Sequence, residues 1–148
     1  MPADIKSLIR NHKRKLFVGI GNVLKCDDGI GVYIVRRIHE RDMIKVLVVE
    51  VSIENYIGKI NSFHHDILIL VDAVNFQQKP GYFSLLTPDE ILDYTTNTHN
   101  ISIQKLLGFF KSQILILGIQ PRSVSLGERI SGSVKKQADL ILEMINAA

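Results

Sequence analysis

The sequence predicts an α/β protein built on a mainly parallel sheet covered on both faces. Three observations carry that expectation. Short runs such as Ile67–Val71 and Ile114–Ile119 are apolar on both faces, as strands buried between two layers are. They alternate with segments whose apolar residues recur every three or four positions, the helical period. Tyr82–Leu86 follows Ala73 too closely for a helical crossover, so that strand is expected to run antiparallel.

The elements follow in order. Ala3 to about His12 is predicted helical, with Ile5, Leu8 and Ile9 on one side. Lys15–Ile20 is rich in strand formers and ends in Gly19-Ile20-Gly21-Asn22. From Gly29 the period is helical: Val32, Val35 and Ile38 share a face, and Arg36, Arg37 and Glu40 oppose it. Ile44–Val51 reads as the second strand, while Ile53–Phe63 is ambiguous and fits at most a short helix. Asp66–Ala73 has the pattern of a central strand. Pro80-Gly81 marks a turn before the Tyr82–Leu86 strand, and Pro88-Asp89-Glu90 opens a short helix with proline at an N-terminal position. Ile101–Phe110 is predicted helical, with Asn100 as its cap. Gln113–Gln120 is the last buried strand, Pro121–Gly127 a loop, and Ser131 to about Asn146 the closing helix.

The 148 residues amount to one domain, 15–148, preceded by a basic N-terminal extension over 1–14. With 46% hydrophobic and 22% charged residues the composition is that of a folded soluble protein, and its longest aliphatic runs fall far short of a bilayer span. The N-terminus has no apolar core of the kind a secretory signal needs. The single cysteine, Cys26, excludes an intrachain disulfide and a cysteine-based zinc cluster, and fits a reducing compartment such as the cytoplasm. A net charge of +3 and a pI near 9.0 invite a nucleic-acid reading. Residues 1–15, however, hold five basic residues against Asp4, and the remainder of the chain is net −1. The basicity belongs to the leader, expected as a solvated helix, so neither nucleic acid nor stable membrane association is expected.

In open α/β sheets, sites form beyond the carboxyl ends of the strands. After the first strand comes Gly19-Ile20-Gly21-Asn22-Val23-Leu24-Lys25-Cys26-Asp27-Asp28-Gly29-Ile30-Gly31. A dinucleotide fingerprint requires glycine where Leu24 stands, and Asp27 and Asp28 would repel a pyrophosphate at the next helix. Either aspartate alone is explained by helix capping. Two of them followed by Gly29 and Gly31 exceed what a cap needs, and the glycines remove side chains that would block an approaching chain. Asp72 closes the third strand, a position satisfied either by loop amides or by a site, and His99 lies in a polar hinge. Asp28, Asp72 and His99 together form a nitrogen and oxygen donor set suited to nickel, zinc or iron, which the sequence permits without establishing. Cys26 with His99 as base would be a thiol nucleophile, but nothing in the sequence activates it, and it reads as a spectator.

The string GIGNVLKCDDGIGV also resembles the opening motif of the hydrogenase maturation endopeptidases, which trim the C-terminus of the large subunit of [NiFe]-hydrogenases. The resemblance continues through IENYIGKI at 53–60, ILILVDAVNFQQKPGYFSLLTPDEI at 67–91, TTNTHNISI at 95–103 and GIQP at 118–121, with details similar to the hydrogenase-3-type branch. It implies a three-layer α/β/α sandwich around a five-stranded, mostly parallel sheet with one antiparallel strand. It places metal contact and catalysis, of the aspartyl type, on Asp28, Asp72 and His99. Asn22, Asp27, Gly29 and Gly31 would then meet the substrate, the glycines leaving room for an extended tail. The implied partner is the precursor of a [NiFe]-hydrogenase large subunit, which carries its own nickel, with zinc or another divalent ion able to occupy the isolated protein. Two alternatives use the same residues: a nickel-checking accessory that binds the precursor without cutting it, and a self-contained metallohydrolase for small substrates.

Overall fold

The computed structural model describes residues 4–94 and 105–147. Helix α1 spans Ile5–Arg10, with Asp4 accepting the Ser7 amide at 2.7 Å as its cap. Strand β1, Lys15–Ile20, leads through a 3-10 turn at Cys26–Gly29 into α2, Ile30–Arg36. Strand β2 is Ile44–Glu50, and the ambiguous stretch after it is a 3-10 turn, Ile53–Tyr56, continuing into α3, Ile57–Ser62. Strands β3, Ile67–Ala73, and β4, Phe83–Leu86, precede α4, Pro88–Ile91. Thr87 and Glu90 close a reciprocal capping box around Pro88, which explains why so short a helix starts there. Strand β5, Gln113–Ile119, and α5, Gly132–Asn146, complete the chain. Of the helix expected over Ile101–Phe110, residues 101–104 and its cap Asn100 lie outside the described residues; Leu107–Phe109 form a 3-10 turn.

The strands lie in the order β2-β1-β3-β5-β4, parallel except for β4, which pairs antiparallel with β5. The sheet side chains divide between two cores. Phe17, Ile69, Val71 and Leu117 face α1, α2 and α5, whereas Leu16, Val18, Leu68, Leu70 and Ile116 face Ile53, Ile60 and Ile91 on the other side. Both faces of β1 and β3 are therefore dry, which is why these strands read as continuous apolar runs. This is the expected three-layer sandwich. Among the described residues, no helix is long and apolar enough to cross a membrane.

The structure corrects the reading of the leader. Ile5, Leu8 and Ile9 are buried in the same core as α5, so α1 is not a solvated arm. Lys15, one of the residues that made the leader look basic, is 2% exposed. Its ammonium donates to the carbonyls of Asn11 at 3.0 Å and Lys13 at 2.7 Å, tying the turn after α1 to the start of β1. Burial holds the Lys15 pKa below the ordinary lysine value.

Candidate active site

The strand order places β1 between β2 and β3. The chain leaves β1 for β2 and returns to β3 on the other side, so the connections diverge at the carboxyl ends of β1 and β3. A crevice forms at such a switch point. The first turn of α2 seats in it at Gly31, where a side chain would collide with the carbonyl oxygens of Ile20 and Val71. The turn that carries Asp28 thus lies against β3, near whose end Asp72 stands.

The loop from β1 to α2 is built to hold that position. Gly21 has φ +139°, and a Cβ there would strike the Asp28 carbonyl oxygen, so only glycine lets the turn fold back onto the strand end. The Asn22 amide donates to Asp28 Oδ2 at 3.0 Å, while Asn22 Oδ1 accepts from the Leu24 amide at 2.9 Å. Asp28 is half-buried, oriented by the loop it belongs to. Asp72 is 1% exposed, and its Oδ1 accepts the Ala73 amide at 2.8 Å. Gln120, buried at the end of β5, accepts the Phe76 amide at 2.6 Å and steadies the segment that follows Asp72.

Asp27 points the other way. Asp27 and Asp28 are successive residues of the 3-10 turn Cys26–Gly29, whose three residues per turn set neighbouring side chains about 120° apart. Asp27 is fully buried: Oδ2 accepts from Arg122 N at 2.8 Å, Ser123 N at 3.2 Å and Ser131 Oγ at 2.7 Å, and Oδ1 accepts from Ser131 N at 2.7 Å. Backbone bonds from Cys26 to Gly127 and from Asp27 to Ser123 run alongside. The carboxylate welds the β1–α2 loop to the β5–α5 loop.

These placements revise three of the residues expected to meet a substrate, Asp27, Gly29 and Gly31. Asp27 has its oxygens occupied and no exposed surface, so it is scaffold. Gly29 faces Val23, where a Cβ would approach within 2.9 Å, and Gly31 faces the strand carbonyls. The space both glycines leave is filled by this chain's own backbone, not kept for a tail. Asn22 shapes the loop and orients Asp28. His99, the third member of the expected set, lies outside the described residues, and among the described residues no group of three histidine, cysteine or carboxylate side chains is assembled to hold a metal. The donor set seen here is two carboxylates at one crevice, hard ligands suited to a divalent cation. Sequence reasoning missed Ser131, Arg122 and Gln120 as supports. The signal at Gln120 is its place in the Gly118–Pro121 block, and nothing local links Asp27 to a serine 104 positions away.

A family model described as "Hydrogenase maturation protease" matches residues 32–148. The hydrogenase 2 maturation protease of Escherichia coli is 27% identical over 91% of this chain and 90% of its own. The hydrogenase 3 maturation protease of the same organism is 24% identical over 85% of each chain. Among solved structures, the [NiFe] hydrogenase maturation protease HycI of Thermococcus kodakarensis superposes with a TM-score of 0.78 at 28% identity, covering 96% of this chain and 99% of that one. A fold whose switch point presents two carboxylates, and a match of this extent, lead to one conclusion: the chain belongs to the hydrogenase maturation protease family.

Proposed function

We propose that this protein is the endopeptidase that removes the C-terminal extension of a nickel-loaded [NiFe]-hydrogenase large-subunit precursor in the cytoplasm. The observation that carries this reading is the placement of Asp28 and Asp72 together at the β1/β3 switch point, on a chain of the maturation protease family. In this reading nickel is part of the substrate and docks the scissile segment against these carboxylates, with His99 as a third ligand. Asp28 is the better placed to meet substrate, being half-buried where Asp72 is almost fully enclosed.

Peptide hydrolysis needs a water whose proton is taken as its oxygen attacks the scissile carbonyl, and a proton returned to the departing amine. A carboxylate at the crevice can perform both transfers in turn. The rigid loop contributes by holding that carboxylate still, so little reorganisation accompanies the reaction. The test is mass spectrometry of nickel-loaded precursor incubated with the purified protein. The expected result is loss of the C-terminal segment's mass. An intact precursor under conditions where the two proteins co-elute overturns the protease reading in favour of a binding accessory.

A further inference from the structure

A second concavity lies at the opposite pole of the sheet, where the strands begin. Arg14, Asp66 and Ser112 stand one residue before β1, β3 and β5. The cavity measures about 360 Å³, within the range of small-molecule sites. Arg14, His64 and Lys111 supply cationic or protonatable groups to its walls, and no carboxylate among the described residues lines it. The nearby Asp66 takes the Arg14 amide at 2.8 Å and Nε at 3.4 Å, which leaves the two terminal guanidinium nitrogens available to an anion.

The remaining walls are aromatic. Phe109 is 57% exposed and Phe63 is half-buried. Asn61 donates to the Phe109 carbonyl at 2.9 Å and holds that segment in place. The floor is equally fixed. His65 Nε2 lies 3.1 Å from the Ile60 carbonyl, which assigns the proton of the neutral ring to that nitrogen. Ser112 Oγ lies 2.6 Å from His65 Nδ1 and 2.8 Å from the His65 carbonyl, so the single serine proton is shared within this pair and the cationic rim is left to meet a ligand.

Several separate cationic groups on one rim suit a dianionic head with three acceptor oxygens better than a carboxylate, which a single guanidinium satisfies. Exposed rings beside them suit a flat body. We propose that this pocket binds a small phosphate ester with an aromatic body, of which a nucleoside monophosphate is representative. The phosphate contacts Lys111, Arg14 and His64, and the ring packs on Phe109. The site is independent of the proposed peptidase activity, because the seven residues of β3 separate the two poles by about 20 Å.

Isothermal titration of the full chain with AMP, adenosine and inorganic phosphate tests this. AMP is expected to bind saturably and more tightly than either fragment. Lys111→Glu is expected to weaken AMP by about tenfold or more, the loss of one charge-assisted contact and its reversal. Phe109→Ala is expected to weaken AMP several-fold and leave inorganic phosphate unaffected. Both side chains are exposed, so thermal unfolding should be unchanged and reports that the fold is intact. Absence of saturation with AMP, equal binding of either fragment, or AMP affinity unchanged in both variants overturns the proposal.

Discussion

The two ends of the sheet are built on opposite terms. At the carboxyl pole, three aspartates are fixed by backbone amides: Asp28 and Asp72 by Asn22 and Ala73 nearby in sequence, and Asp27 by a loop about a hundred residues away, with Gly21 letting the turn fold back onto the strand end. At the amino pole, Arg14, His64 and Lys111 stand exposed around a cavity, while the buried Lys15 is capped by two carbonyls. The first arrangement gives a carboxylate a single position. The second leaves charge available over an area. Catalysis needs the former, whereas anion capture tolerates the latter.

Substitutions can break this contrast at several strengths. The largest effect belongs to Asp28→Asn and Asp72→Asn, each expected to reduce precursor cleavage by about 100-fold or more while barely moving the unfolding temperature. An asparagine oxygen can still accept the Asn22 or Ala73 amide, so the fold survives. Full cleavage by either variant removes that residue from the site. Next comes Gly21→Ala, where left-handed strain and collision with the Asp28 carbonyl together destabilise by about 4 kcal/mol, read from denaturant unfolding. Wild-type stability would show that the turn can move and that the carboxyl pole is less rigid than described.

Asp27→Ala removes the acceptor of three amides and a hydroxyl and is expected to cost about 3 kcal/mol, with Asp27→Asn recovering part of it. The smallest effect lies at the amino pole. Burial holds the His65 pKa below 6.5, so between that lowered value and 6.5 the unfolded chain binds more protons. His65 therefore subtracts stability as pH falls through that window and is neutral in effect above it. The stability–pH curve of His65→Asn is expected to be flatter there than that of the wild type; identical slopes would place His65 in solvent.

Strands were legible within one or two residues because β1, β3 and β5 are dry on both faces and so carry an uninterrupted apolar signal. The end of α2 was not: it stops at Arg36, where the Arg37 amide bonds back to Ile34 and the Ile38 amide to Val35, although the apolar spacing runs on to Ile38. Asp28 and Asp72 were legible as strand-end carboxylates. The different surroundings of Asp27 and its neighbour were not, because they depend on the amides of Arg122, Ser123 and Ser131, which only the tertiary fold brings to Asp27. The triplet Ile5, Leu8 and Ile9 has helical spacing, but the basic residues interleaved with it suit a solvated helix equally well, and only packing shows that α1 completes the core.

The weld made by Asp27 has a consequence for recognition. Amide protons of Arg122, Ser123 and Ser131 lie outside any strand or helix, yet each is enclosed by a buried carboxylate. They should exchange with solvent as slowly as strand amides, opening only when the loops separate. In the proposed docking of a precursor tail at Asp28, a loop held in this way does not fold itself around the incoming chain. The conformational entropy lost on binding is then lost by the tail, and a tail already stiffened before arrival would be preferred over a loose one.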